Sequence, residues 1–187
     1  MIGYAFCGSF CTFSRSFAVL QSLLADGYDV QPIMSENAYS TDTRFGAARD
    51  WVARIESACG RTVIHRIADA EPLGPAKPLQ ALLISPCTGN TLAKLACGIT
   101  DTAVCMAAKA HLRCDRPLLI ALASNDAMSQ NLKNIAALRL RRGVQFVPME
   151  QDDPVGKPHS LVACFEHIPA VLDALLAGNV QNERVFL

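Results

Sequence analysis

The sequence predicts an α/β protein of three layers, a parallel sheet with helices on both faces. Three observations predict it. Short apolar, β-prone runs alternate with segments of helical periodicity along the chain, and that order builds parallel strands joined by crossover helices. The run from Pro117 to Ala123 carries no polar side chain, as a strand buried on both faces requires. Four strands end in turns of short polar residues, at the sheet edge where such folds bind ligands.

The elements follow in order. Ile2 to Cys7 is a short apolar strand, broken by Gly8-Ser9-Phe10-Cys11-Thr12. From Phe13 the apolar positions Phe17, Leu20, Leu23 and Leu24 recur at helical spacing, and Gly27 stops the helix. Asp29 to Met34 reads as the second strand, ending at Ser35-Glu36-Asn37, and a helix carrying Trp51, Val52 and Ile55 runs to Cys59-Gly60. Thr62 to Ile67 is a weak strand, and the Pro-rich stretch 68–78 reads as a loop. Leu79 to Ser85 is the third confident strand, followed by helices over Thr88 to Cys97 and Thr102 to Leu112. After Pro117 to Ala123 come a basic amphipathic helix over 129–142, with Lys133, Arg139, Arg141 and Arg142, and a short strand over Val144 to Val147. A polar loop and a helix over Ile168 to Leu176 close the chain. With neither an internal repeat nor a linker, residues 1–187 read as one domain, of a length that suits a single core. The type is flavodoxin-like, in the broader Rossmann class.

Composition narrows the function. Lys+Arg and Asp+Glu both number 17, so no basic surplus draws the chain to nucleic acid, and weak self-repulsion leaves copies free to associate. The eight cysteines form no C-x-x-C pair and have no matching pair of histidines, which argues against a metal site. Cys97, Cys105 and Cys164 lie in apolar segments and read as small hydrophobes of a cytoplasmic protein. The start has no basic n-region, and no apolar run reaches about 20 residues, so neither a signal peptide nor a membrane helix is expected. His65, His111 and His167 read as structural.

Chemistry concentrates at the strand ends. The turns are Gly8-Ser9-Phe10-Cys11-Thr12, Ser35, Pro86-Cys87-Thr88-Gly89-Asn90-Thr91 and Ala123-Ser124-Asn125-Asp126, and none offers a Lys or Arg. Ser, Thr and Asn are good N-caps, which would explain any one of them. Four along one edge point to a ligand whose phosphate is held by main-chain N–H groups and helix dipoles rather than by cations. The dinucleotide fingerprint G-x-G-x-x-G, the P-loop and the G-x-S-x-G elbow are all missing from the sequence. That leaves a mononucleotide-type ligand.

The segments "GSFCTF" and "PCTGNTLAKLACGITD" resemble the first turn and the P-A-S-A-N-T turn and helix of the FMN-binding flavoprotein family, which includes cysteine-type decarboxylases and flavin prenyltransferases. With "ASNDAMSQN" and "QDDPVGKPHSLVA", the likeness is to one branch, the B chains of two-subunit synthases that make a pyridine dicarboxylate in sporulation. The resemblance implies an FMN site with Gly8, Ser9 and Ser35 at the phosphate and Thr88, Asn90 and Thr91 along the ribityl chain. Ser124, Asn125 and Met128 would lie near the flavin or substrate, and Phe10, Thr12, Pro86 and Cys87 complete the turns. It further implies that the partner is a dehydrogenase-like A subunit, that the substrate is a small dicarboxylate, and that copies form a trimer or a multiple of it. The apolar helix around Val104 to Ala110 is one contact for that assembly, and core packing its alternative. Where the decarboxylases carry a catalytic His, counting back from Pro86 without gaps reaches Pro72. The turn at Ser124 also departs from their P-x-M-N-x-x-M. In the loop holding Gln151, Asp152, Asp153, Lys157, His159 and Ser160, Lys157 or His159 is expected to pair with a substrate carboxylate, and His159 to move a proton.

Overall fold

The computed structural model describes residues 1–76 and 79–178. Five strands lie parallel in the order β2-β1-β3-β4-β5: β1 is Ile2–Phe6, β2 Val30–Met34, β3 Leu82–Cys87, β4 Leu118–Ser124 and β5 Val144–Phe146. The helices are α1 Phe13–Ala25, α2 Glu36–Ser40, α3 Ala48–Cys59, α4 Ile67–Ala70, α5 Gly89–Cys97, α6 Ala103–Leu112, α7 Leu132–Arg139 and α8 Ile168–Leu176.

Alternation along the strands divides the core into two layers. Leu118, Ile120 and Leu122 of β4 pack with Ile84 and Leu82 against Leu92 of α5, Val104 of α6 and Ile135 of α7. Leu119, Ala121 and Ala123 face the opposite way with Tyr4, Phe6 and Leu83, against Leu20 of α1, Trp51 of α3 and Leu172 of α8. All seven residues of β4 are buried. The three-layer arrangement is thus the one the sequence predicts. Val104, Ala107, Ala108 and Ala110 are buried inside this chain, so that face of α6 packs in the core.

The sheet is not purely parallel. After Ile120 pairs with Phe146, β5 leaves β4, and the last residues of β4 would lack main-chain partners on that side. β7, Leu161–Ala163, fills the place by pairing antiparallel with Ala123 and Ser124, and β6, Met149–Glu150, pairs antiparallel with β7. Strands of two and three residues are too short to show periodicity, and the sequence reads the first as part of the polar loop.

Other differences are local. The weak strand over 62–67 contributes only a parallel bridge between Ile33 and Ile64. The Pro-rich stretch holds α4 and a 3-10 turn at Glu71–Leu73, because Ala70 and Leu73 are apolar enough to bury beside α6; Lys77 and Pro78 of that stretch lie outside the described residues. The helix expected over 129–142 is confined to Leu132–Arg139. His111 is buried, its Nε2 2.8 Å from the Pro117 carbonyl oxygen, which fits a structural histidine.

Candidate functional site

The carboxyl ends of β1, β2 and β3 meet in a cleft of about 340 Å³ lined by Gly8, Phe10, Ser35, Glu36, Asn37, Thr88, Asn90, Thr91, Lys94, Asp101 and Thr102. Each wall follows from local chemistry. After β1 the chain turns sharply, with Ser9 N–H donating to the Cys7 carbonyl at 2.7 Å and Thr12 Oγ1 donating to the Ser9 carbonyl at 2.8 Å. After β2, Ser35 caps α2 by accepting from Ala38 N–H. After β3, Thr88 Oγ1 accepts from Thr91 N–H at 3.1 Å and donates to Thr91 Oγ1 at 3.1 Å. Ser35 and Thr88 are therefore N-caps as well as cleft walls. Gly89 and Asn90 open α5, where no carbonyl of the helix lies behind them to take their N–H groups.

Gly89 is required by a close approach. A Cβ there would come within 2.5 Å of both Asn131 Nδ2 and Ser124 Oγ and 3.0 Å of Asp126 Oδ1. Those three side chains form a cluster: Asp126 Oδ1 accepts from Ser124 Oγ at 2.5 Å and from Asn131 Nδ2 at 2.8 Å. The Ser124 hydrogen bond holds the Asp126 carboxyl below the usual carboxylate range, burial partly opposes this, and Asn131 adds to the lowering. The turn after β4 thus adjoins the start of α5 without lining the cleft.

Among the described residues, one cation, Lys94, lines the cleft, and it is paired. Lys94 Nζ donates to Asp101 Oδ1 at 2.8 Å and Oδ2 at 2.9 Å, and that hydrogen bond lowers the pKa of the Asp101 carboxyl. A second cavity of about 630 Å³ shares Glu36, Asp101 and Thr102 with the cleft and continues past Ala103 to His65, Arg66, Ile67 and Ala68. The His65 imidazole stacks on Tyr39 of α2, with ring centroids 3.7 Å apart and planes 8° from parallel.

Of the residues singled out in the sequence, Gly8, Phe10, Ser35, Thr88, Asn90 and Thr91 line this cleft. Ser9 and Thr12 hold the first turn together. The Pro86 carbonyl accepts from Cys7 N–H at 3.1 Å, and Cys87 is wholly buried, its thiol pushed well up by burial. Burial likewise pushes the neighbouring Cys7 thiol up to about 12, against a smaller lowering by Thr91. Asn125 is exposed, and Met128 N–H donates to the His159 carbonyl at 3.0 Å, so the polar loop rests on the turn after β4. Lys157 and His159 line neither cavity. Lys157 Nζ donates to Asp152 Oδ2 at 2.9 Å, which raises its pKa.

Sequence reasoning passed over Glu36, Asn37, Lys94, Asp101 and Thr102. Lys94 was within reach, since it lies one turn after Asn90 and Thr91 on the same helix face, and Thr102 is recognisable as the N-cap of α6. His65 and Arg66 carried no such signal, because their position depends on the bridge at Ile64. Among the described residues no cluster of His, Cys, Asp and Glu suits a metal ion, and no helix is long and apolar enough to cross a membrane.

Comparison with known proteins gives consistent matches. The flavoprotein family matches residues 1–177. The B subunit of dipicolinate synthase from Bacillus subtilis (strain 168) is 41% identical over 175 residues, covering 94% of this chain and 88% of that protein. The crystal structure of the corresponding B subunit from Bacillus halodurans superimposes with a TM-score of 0.89 at 35% identity, covering 100% of this chain and 95% of that one. The FMN-dependent cysteine decarboxylase SpaF shares the fold with a TM-score of 0.71 at 20% identity, over 96% of this chain and 97% of its own.

Proposed function

The chain belongs to the flavoprotein family, and from that premise we propose that it is the B subunit of a dipicolinate synthase whose cleft binds flavin mononucleotide. The observation that carries this reading is the 41% identity to a dipicolinate synthase B subunit over nearly the whole of both chains. In this reading the chain works in the cytoplasm with the A subunit of dipicolinate synthase, and assembles with copies of itself as a trimer or a multiple of one. Together the two kinds of chain remove two hydrogens from a dihydrodipicolinate-type precursor during sporulation, leaving the aromatic pyridine-2,6-dicarboxylate. The thiols of all eight cysteines are free, as suits a reducing compartment.

The cleft fits the cofactor. Its volume lies in the range of small-molecule sites, roughly 300–1,000 Å³. Hydroxyl and amide groups of Ser35, Asn37, Asn90, Thr91 and Thr102 line it, and the first N–H groups of α5 supply donors and a positive dipole end for a phosphate. Asp101 is neutralised by Lys94, which limits repulsion of that anion. Bound flavin would supply a two-electron acceptor. The chain's own residues bind and orient it: Ser35 and Thr88 fix the two helix ends, and Gly89 keeps α5 seated on the Ser124–Asp126 cluster.

The test is reconstitution with the A subunit. The purified chain should show a flavin visible spectrum after incubation with FMN, and leaving it out should abolish dipicolinate formation. Formation undiminished without it would refute the assignment.

One observation favours a second reading. His65 lines the cavity beside the cleft, an imidazole available there to move a proton in a stand-alone FMN-dependent enzyme. That alternative is a stand-alone FMN-binding enzyme, a flavin prenyltransferase or a phosphopantothenoylcysteine-type decarboxylase, and modification of the flavin by a prenyl phosphate, or release of carbon dioxide from a cysteine-type carboxylate, by the chain alone would support it.

A further inference from the structure

We propose that the cavity beside the cleft receives the carboxylate-bearing substrate, with Arg66 as its anchoring cation. The inference rests on the reading of the cleft as a flavin site and assigns the neighbouring space, a role the sequence gives to Lys157 and His159.

Three observations carry it. The cavity and the cleft share Glu36, Asp101 and Thr102, so a molecule in one abuts a molecule in the other. At about 630 Å³ the cavity has room for a small aromatic acid. Its cation is also unspent. Arg61, Arg113 and Lys157 are held by Asp29, Glu71 and Asp152, and Arg54 lies over Phe17 and Trp51. Arg66 has no ion pair, side-chain hydrogen bond or ring contact among the described residues.

The chemistry selects the ligand class. A guanidinium presents paired N–H groups that match a carboxylate bidentately. Around it stand groups suited to the rest of a small aromatic acid. His65 is fixed in orientation by Tyr39 and offers ring nitrogens. Thr102 Oγ1 accepts from Cys105 N–H at 3.2 Å and so keeps its own proton to donate. Ile67, Ala68 and Ala103 give the apolar wall a planar ring needs. Asp101 is paired with Lys94, and Glu36 forms no ion pair among the described residues, so the wall toward the cleft is anionic and turns the carboxylate end of the ligand toward Arg66. Lys157 is less suited, being already bound to Asp152.

The test uses the full-length chain with FMN and measures pyridine-2,6-dicarboxylate binding by calorimetry, alongside FMN affinity by visible absorbance. Arg66 is exposed, so its replacement spares the core. Arg66→Ala should weaken dicarboxylate binding about tenfold or more, the scale of a charge-assisted hydrogen-bonded pair, and leave FMN affinity unchanged. Arg66→Lys should recover part of the loss, and unsubstituted pyridine should not bind. Equal dicarboxylate affinity in the parent chain and Arg66→Ala would overturn the inference, as would no binding to the parent chain. If FMN binds while the dicarboxylate does not, the inference alone fails. If FMN does not bind, the flavin reading fails, and the dependence of dicarboxylate affinity on Arg66 still decides the inference.

Discussion

Asp126 draws two donors, Ser124 Oγ and Asn131 Nδ2, onto one carboxylate oxygen. Its folded-state pKa is lowered, first by the Ser124 hydrogen bond, with burial opposing and Asn131 assisting. The unfolded carboxyl titrates at about 3.9, so the contribution to stability is full above that value and is lost as the pH falls through the lower folded pKa. Asp126→Asn should therefore narrow the stability gap between neutral pH and about pH 3, checked by urea midpoints of both proteins at the two pH values. An unchanged gap would mean the cluster is not linked to folding. At this scale the sequence was partly legible. Short hydroxyl residues at strand ends stood out at once, but a Ser or Thr in a turn serves equally as a cap, a cluster member or a ligand contact. Ser124 bonds to Asp126 and Thr88 caps α5, and only coordinates separate those uses.

The joint between α5 and the turn after β4 is the element on which the cleft depends. A methyl group at position 89 has nowhere to go, because Ser124 Oγ and Asn131 Nδ2 stand within 2.5 Å of it. Gly89→Ala should shift the start of α5 away from that turn. It should cost about 1–3 kcal/mol of stability and weaken FMN binding, measured by chemical denaturation and by flavin titration. Wild-type values in both would show the contact to be slack. Elements of this length were easy to read where periodicity had room, as in α1 with Phe17, Leu20 and Leu23 on its buried face. They were unreadable where it had none. α4 spans four residues and β7 three, and their existence rests on which neighbours they bury against, which no local signal records.

Taken whole, the molecule is a sheet with two cores and a cleft at the carboxyl ends of three strands, and the parallel part was foreseeable from the order of apolar runs. The cavity at His65 and Arg66 was not, since it joins α2, α4 and the start of α6. A ligand bound in the cleft should stabilise the entire cooperative unit. With free FMN at 100 times its dissociation constant the gain is about 2.7 kcal/mol, which for a chain of this size raises the melting temperature by roughly 5–11 °C. A scanning calorimetry trace unmoved by FMN would count against every flavin reading. The sheet margins carry one more implication. β2 lies at one margin with Pro32 in its middle and is bridged by Ile64, while the opposite side ends in β5 and β6, of three and two residues. Strands so short, or interrupted by proline, give a neighbouring chain almost no main-chain template. Copies of this protein should therefore meet through side chains on their helices, leaving fibrous stacking of sheets disfavoured even at the near-zero net charge that removes electrostatic repulsion.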